Sequence, residues 1–546
     1  MKQSVLVNLI GELSNVRGGR RPIETRLRRE NPSGEYQGKK RGGKVADGMK
    51  KDEEKKHEAP VFPDHFTHYI VSLALVVFCA FGPAAGAREL EPSGEIVSTT
   101  FFSARDTASP EEREKGDVPV FAARARLLWD GYISEQTSVR LETELGYTRL
   151  DADSAPFDSE ETEASLREAA IKFGGFMSES VDLTLGKQRI TWGKADGVNP
   201  TDNFNPNNLD ALTGGGVLTL GSTADFMDKP YVWALRAEKY FPDESKLDFV
   251  WVPRMKEAEL DPGLVRRLTG LTPSFDFPWK GSGWSANLSL YGVRWSSTVR
   301  KTDLSLSFFH GYDNMPAVKT ATLRYNALNP AAAINPLLAV TGRTAIELSY
   351  PELDVFGLDF SGEIFSAGWW AEFGYFMPKK FDGGLILIEQ NGLLPARAVP
   401  ISIMEDNYLK YTLGFDYTLP FGEGVYTNIQ FAHGLFDERR YTTRSRSIGL
   451  ANDSGMLGSL QDYLVYRFEY KWDSDEKSLA LMGFLEKGEF SGFNHKSHMF
   501  MPYYTWEFRD DTDISVGYKG YTGEPESKFG SLRGNNQVFV NLKRTW

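Results

Sequence analysis

The segment from Val181 to Pro206 holds the most distinctive spacing in the chain. Val181, Leu183 and Leu185 alternate with polar residues, as one face of a strand does. Lys187 and Arg189 continue that register but carry charge. Either a bulge at Gly186 re-aims the strand or its apolar part stops there. The residues beyond contain Asn199-Pro200 and Asn205-Pro206, then Gly214-Gly215-Gly216. Proline fixes φ and Asn or Asp favours local turns, so this is shaped chain rather than a linker. The expectation is a loop folded into an enclosed space, with Lys187 and Arg189 near its base. The chemistry such a segment serves is passage: fixed charge in a narrow, wet space selects ions and polar solutes.

Other chemistries fit less well. Asp202, Asn203, Asn205, Asn207 and Asp210 form an oxygen-rich run that could hold calcium, but it lacks the glycine and distal glutamate of an EF-hand loop. Turn chemistry accounts for it. A barrel hydrolase would need a Ser–His pair with an orienting third group, and His310-Gly-Tyr-Asp313 is the nearest approach to one. Gly214–Gly216 precedes no Gly-Lys-[Ser/Thr], so it is not a phosphate loop. The single cysteine excludes a disulfide framework and thiolate metal sites. The reading is therefore of a protein that is not an enzyme and uses no metal or cofactor.

What positions the segment follows from composition. The 546 residues include 36 Phe, 23 Tyr, 12 Trp and 52 Gly, while mean hydropathy is −0.37. Aromatic and glycine enrichment with retained polarity points to a β protein with many turns and away from a helical membrane bundle. Formal net charge is −12. Residues 1–87 hold 15 Lys+Arg and 10 Asp+Glu, leaving 47 basic and 64 acidic residues in the remainder. An acidic body argues against nucleic acid as a partner.

Tyr69 to Ala87 is the one long uncharged apolar run, and it ends in Ala85-Gly86-Ala87, a small-x-small cleavage pattern. Residues 1–87 read as a basic N-terminal extension plus signal peptide, with a start at Met49 and cleavage after Ala87. Cys79 would leave with the signal, which suits an oxidising compartment. Residues 88–115 read as a polar N-terminal segment, or a first strand and loop, and 116–546 as the main domain.

That domain repeats one element. Leu409, Tyr411, Leu413, Phe415, Tyr417 and Leu419 alternate with Lys410, Thr412, Gly414, Asp416 and Thr418; 137–149, 424–433 and 460–472 behave alike. Such runs exceed the ~5–6 residues of globular strands and match the ~9–11 that cross a bilayer. They end in aromatics such as Tyr470 and Trp472, as interfacial girdles require. Short connections alternate with long ones at 193–230, 253–283, 311–342, 378–406 and 434–459. The fold class is all-β: a transmembrane antiparallel up-and-down β-barrel of 16–18 strands, preceded by a cleaved signal peptide. Segments 93–103, 318–326 and 343–350 are additional strand candidates. Arg124, Arg126, Arg140, Glu142, Glu144, Glu372, Lys410, Arg467 and Glu469 fall on the inward phase. A lumen of this strand number is wide enough for water. If Lys187, Arg189, Arg124, Arg126 and Arg140 gather at a constriction with Asp202, anions should be favoured.

The last strand ends in Trp546, with Leu542, Val540 and Val538 on the same phase and Arg544 interrupting them. A terminal aromatic on an alternating strand resembles the signal read by bacterial barrel-assembly machinery; Arg544 departs from that pattern. The segment at 186–202 resembles the signature of a family of uncharacterised porin-like outer-membrane barrels of Gram-negative bacteria. That signature is Gly-x-Gln…Trp-Gly followed by Asn-Pro-x-Asp, here Gly186, Gln188, Trp192, Gly193, Asn199, Pro200 and Asp202. The resemblance implies an outer-membrane location and a porin-like role, and no particular substrate. Expected partners are the lipid bilayer, the assembly machinery and a small polar solute; whether copies form a homo-oligomer stays open. The alternatives are a plugged structural, adhesin or assembly barrel and, less well supported, an outer-membrane hydrolase.

Overall fold

The computed structural model describes residues 88–104, 120–150, 159–207, 218, 220, 227–258, 274–276, 289–334, 336–404, 406–443, 445, 457–487, 495–525 and 527–546. The proposed extension and signal at 1–87 lie outside them. Among the described residues, twenty-three strands follow one another in chain order. They are β1 (Arg88–Ser103), β2 (Val120–Ser134), β3 (Thr137–Leu150), β4 (Ser159–Phe173), β5 (Val181–Gln188), β6 (Val232–Tyr240), β7 (Lys246–Val252) and β8 (Ser274–Asp276). Next come β9 (Leu290–Val299), β10 (Thr302–Tyr312), β11 (Ala317–Tyr325), β12 (Val340–Ser349), β13 (Glu352–Ile364), β14 (Ala367–Pro378), β15 (Phe381–Glu389) and β16 (Arg397–Met404). The last are β17 (Tyr408–Leu419), β18 (Val425–His433), β19 (Asp462–Trp472), β20 (Lys477–Lys487), β21 (His495–Arg509), β22 (Thr512–Gly523) and β23 (Gln537–Thr545).

Eighteen of these form one sheet, every pairing in it antiparallel, each strand beside its predecessor in the ring. β1 pairs with both β2 and β23, which closes the ring. The seam continues past the last strand: Gly94 N donates to Trp546 O at 3.0 Å, and Trp546 N returns to Gly94 O at 3.1 Å. The barrel therefore begins at Arg88, within the stretch assigned from sequence to a polar N-terminal segment, and the candidate at 93–103 is its first stave.

The alternation explains why the sheet curls with this face inward. On β17, Leu409, Leu413 and Phe415 are more than 40% exposed, whereas Lys410 and Thr412 are buried. Leu306, Phe356, Leu464 and Leu481 are likewise exposed, while Asp359, Glu372 and Gln430 are fully enclosed. A surface that exposes leucine and hides carboxylates is built for a hydrocarbon exterior, where closure leaves no backbone group unpaired. Tight connections lie at one end of the barrel. Phe365-Ser366 joins β13 to β14 with both φ angles positive (50° and 67°), the geometry whose twist matches a hairpin. The long connections lie at the other end.

The interior departs from a uniformly wet tube. Phe101, Met482, Phe484, Met499, Met501 and Phe539 face inward and pack with Phe529 and Leu532 of the β22–β23 connection. β20 is apolar on both faces, which a simple alternation reading does not anticipate. The long connections also hold structure of their own. β8, β11, β12, β15 and β16 make a second sheet, ordered β16-β15-β11-β12-β8. Its β11–β15 and β12–β8 pairings are parallel, and Ala321, Leu323, Leu385, Leu387 and Ile401 form its core. The candidates at 318–326 and 343–350 belong here rather than to the barrel wall.

Leu413→Arg, in the middle of the outer face of β17, should destabilise the protein in bilayers by about 2–4 kcal/mol. Urea unfolding of the reconstituted chain measures this. An unchanged midpoint would place Leu413 away from lipid.

Candidate constriction across the lumen

β5 runs through Gly186 without a register shift: Gly186 sits opposite Ala170 on one side and Ala234 on the other. There is no bulge. Glycine is required because φ is +126° and a Cβ would lie 2.0 Å from the Ala169 carbonyl. Period-2 geometry therefore keeps Lys187 on the outward register of Val181, Leu183 and Leu185, and its Nζ donates to the Leu166 carbonyl. This corrects the expectation that Lys187 lines the lumen. Gln188 faces inward and donates to Ala234 O at 3.0 Å. Arg189 follows, half-buried, its Nε without a hydrogen-bond partner.

Beyond Arg189 the chain leaves the wall and crosses to the opposite staves. Trp192 Nε1 donates to Asp248 on β7 at 3.2 Å. The Trp192 ring meets Phe204 edge-on at 4.9 Å, and Phe204 meets Phe309 on β10 at 5.0 Å. The far anchor is Glu372 on β14, fully buried. Its Oε2 accepts from Lys194 N at 2.8 Å, Ala195 N at 3.0 Å and Asn199 Nδ2 at 3.4 Å. Its Oε1 accepts from Thr201 N and Thr201 Oγ1, both at 2.8 Å. A carboxylate costs much to bury unless donors surround it, and here backbone amides supply them. Gly193, with φ +92°, makes the approach possible: a Cβ would sit 2.4–2.6 Å from the Glu372 carboxylate. Further along, Thr412 Oγ1 donates to Val198 O at 2.9 Å, and Gln430 Nε2 donates to Asp196 O at 2.8 Å. The loop thus touches the inner faces of β7, β10, β14, β17 and β18.

Side chains within the loop fix its return. Asn205 spans Ile190, accepting from its N–H at 3.3 Å and donating to its carbonyl at 2.5 Å. Asp202 Oδ1 accepts from Asn205 at 3.2 Å and Oδ2 from Lys229 Nζ at 3.0 Å. Asn207 donates to Asn314 Oδ1 through both its backbone N–H (3.2 Å) and Nδ2 (2.9 Å). From Asp202 to Asn207 the oxygen-rich run is therefore turn and staple chemistry, with the Lys229 ammonium on Asp202; Asp210 lies outside the described residues. Leu218 reaches the other side of the ring, where its carbonyl accepts from Asn541 on β23 at 3.0 Å.

Arg124 and Arg126 do come together, in a network with Arg167, Glu95, Glu142, Glu144 and Asp228. Arg126 contacts Glu144 at 2.6 Å, Asp228 at 2.8 Å and Glu95 at 3.2 Å. Arg124 contacts Glu95 at 3.0 Å, and Arg167 contacts Asp228 at 2.5 Å and Glu142 at 3.2 Å. Four carboxylates meet three guanidiniums. Burial alone would push the Asp228 carboxyl up, but Arg167 and Arg126 outweigh it and hold it below the ordinary carboxylate value. Asp228 thereby ties the returning loop to β2 and β4. Arg140 stands apart, paired with Glu168 at 3.1 Å. The basic cluster expected from sequence is thus divided among acids, Arg140 and an outward Lys187. Nothing in the local sequence marks Arg167 as inward, because a register shift between Glu142 and Thr143 turns it to the inner face. Asp228 lies in a loop, where no period marks it.

Two cavities flank the crossing loop. One, of about 260 Å³, is lined by Glu95, Glu469, Glu476, Glu507 and Asp513 with Lys471 and Lys543. The other, of about 30 Å³, is lined by Asn199, Asp202, Asn207, Lys229, Asn314 and Lys410. At the end with long connections, Lys528 Nζ contacts both Asp437 oxygens at 2.7 Å and Glu438 at 3.0 Å. These three residues are buried, and they join the β18–β19 and β22–β23 connections. The His310–Asp313 pairing considered from sequence is not formed. His310 Nδ1 meets Asp354 at 2.5 Å, while Asp313 meets Arg439 at 2.8 Å.

The sequence matches no protein-family model and no curated protein. Among solved structures the chain is similar to OccAB4 of Acinetobacter baumannii, at 11% identity over 84% of this chain and 99% of that one, TM-score 0.42. OccAB3 of the same organism gives 9% identity, 84% and 99% coverage and TM-score 0.43. OpdL of Pseudomonas aeruginosa gives 7%, 84% and 99%, and 0.41.

Glu372→Ala leaves several buried amides without an acceptor. It should cost on the order of 3–5 kcal/mol, as losing one partner of a buried charged group does. Urea unfolding in lipid reads the loss, and single-channel conductance should rise as the loop comes free. Wild-type values in both would refute the anchoring role.

Proposed function

We propose that this chain is an outer-membrane, porin-like channel for small polar solutes, narrowed by the connection between β5 and β6. The observation that carries the reading is the Glu372-held loop crossing a closed barrel whose outer face is apolar. A wall apolar outside and charged inside suits the passage of something polar through it. The signature-like residues Gly186, Gln188, Trp192, Gly193, Asn199, Pro200 and Asp202 fit this role, since they end the strand, make the turn and seat the loop. Trp546, Leu542 and Val540 would serve recognition by the assembly machinery.

Selectivity in this reading comes from the larger cavity, not from the arginines. Arg124, Arg126 and Arg167 are neutralised by nearby carboxylates, whereas the cavity wall carries more acidic than basic groups. Cations should therefore be favoured. The test is the reversal potential of the reconstituted full chain in a KCl gradient. Potassium should pass more readily than chloride, and Glu507→Gln with Asp513→Asn should reduce that preference. Chloride preference would overturn the assignment.

A second reading is a plugged structural barrel. Inward packing of Met482, Phe484, Met499, Met501 and Phe539 favours it. Liposomes carrying the protein discriminate: swelling with small sugars supports the channel, and its absence supports the plug.

A further inference from the structure

Between the crossing loop and the short turns, two inward side chains lean across onto the neighbouring stave instead of pointing into the lumen. Trp370 on β14 is the cross-strand partner of Gly414 on β17, and Gly368 on β14 is the partner of Asp416 on β17. All four share the inward phase of Glu372 and Lys410. In each pair the glycine makes room for the larger residue. A Cβ at 414 would collide with the Trp370 indole, and a Cβ at 368 with the Asp416 carboxylate. Among the described residues nothing accepts from Trp370 Nε1, so a hydrogen bond does not explain the ring. Trp370 is half-buried. Its indole rests on bare backbone, and what stays exposed faces the lumen.

Polar groups extend this surface around the wall. Asp416 is opposite Asn428 on β18, and Asn428 is opposite Arg467 on β19. Tyr426 and Glu469 are partners one step nearer the turns. The Tyr426 hydroxyl donates to Asp416 at 3.2 Å, and Arg467 contacts Glu469 at 2.7 Å. The Arg467 guanidinium also lies over the Tyr426 ring, 5.3 Å from its centroid. From β14 through β17 and β18 to β19 the row covers about 14 Å, at ~4.8 Å per strand spacing. Asn428 Nδ2 donates to Asp196 Oδ2 at 3.1 Å, so the row lies directly against the crossing loop. At its other end Glu469 lines the cavity of about 260 Å³. A solute moving between loop and cavity on this side passes over the row.

The chemistry of the row narrows the class of solute. Arg467 and Glu469 are already paired, and Asp416 already accepts a hydroxyl, so a simple ion finds little uncompensated charge. What remains is an apolar ring face beside fixed donors and acceptors. That combination matches a sugar ring. Its C–H face packs on an indole, and its hydroxyls, each both donor and acceptor, exchange hydrogen bonds with carboxylate, guanidinium and carboxamide groups. Side chains folded onto the wall offer these contacts without blocking the way.

We propose that this row is a saccharide subsite, with Trp370 as the platform and Asp416, Asn428, Arg467 and Glu469 as hydroxyl partners, and that it favours neutral oligosaccharides. The inference rests on the channel reading and names its solute class. KCl current through the reconstituted full chain, titrated separately with maltotriose and cellotriose, tests it. One or both sugars should interrupt the current in a concentration-dependent way. Trp370→Ala should raise the half-blocking concentration about tenfold, and Trp370→Phe should raise it less. Gly414→Ala should also raise it, because the added methyl displaces the indole while every sugar-contacting side chain is kept. Heat-modifiable mobility identifies folded variants. A conducting chain that neither sugar blocks would overturn the subsite and leave the channel standing. So would equal block of wild type and folded Trp370→Ala, or equal block by lysine hydrochloride. A chain that does not conduct defeats the channel reading, and calorimetric titration of the same sugars into the folded protein in detergent then decides the subsite. Binding heat lost in Trp370→Ala supports it, and no binding heat in the wild type overturns it.

Discussion

A strand facing hydrocarbon has no water to satisfy its amides, so each stave must find its partners in its two neighbours. That constraint sets the rest of this molecule. It demands the β1–β23 seam, which ties a strand beginning at Arg88 to one ending at Thr545. It dictates that Leu413 and Phe356 turn outward. It also leaves the inner face free, since a closed wall holds its shape whatever side chains it encloses. The sequence spends that freedom on ion pairs, on an apolar cluster beneath the long connections and on a loop drawn across the middle.

None of that interior is held by a ladder. The crossing loop is fastened by side chains reaching from the wall: Glu372 to four donors of the loop backbone and hydroxyls and one amide side chain, Thr412 and Gln430 to loop carbonyls, Asp248 to the Trp192 indole. Several of the buried charges are paired with opposite ones. Arg236 lies against Asp248 at 2.7 Å, and Arg294 against Asp359 at 3.1 Å. Removing one partner from such a pair costs far more than the pair contributes, because it strands the other in a dry place. The loop position is thus specified by polar satisfaction rather than by hydrophobic burial, although Trp192, Phe204 and Phe309 add an aromatic step.

The wall was legible in the sequence because its code is local. A period of two, strand lengths that suit a bilayer and alternating connection lengths need no long-range information, and they led to an even barrel within the 16–18 range. The inward phase of Glu372 and Arg126 could be read the same way. What could not be read was any property set by distant pairing. Glu372 and Thr201 lie 171 residues apart, and nothing near either marks the other. Lys187 was misplaced because the charge looked like an exception to its register, when the strand in fact runs straight through Gly186. The second sheet was hidden in segments such as 378–406, where β15 pairs in parallel with β11 of another connection. β1 is polar in its lower half, at Glu91, Ser93 and Glu95, so only its upper part, 93–103, reads as a strand candidate, with outward Ile96 and Phe102 as the apolar signal.

A constricted lumen requires the loop to be seated inside the ring. Amide hydrogen exchange of the full chain in lipid addresses this directly. The N–H groups of Lys194, Ala195 and Thr201 should exchange as slowly as those of β14 and β17. Exchange at the rate of an open, solvated loop, with the staves still protected, would contradict it.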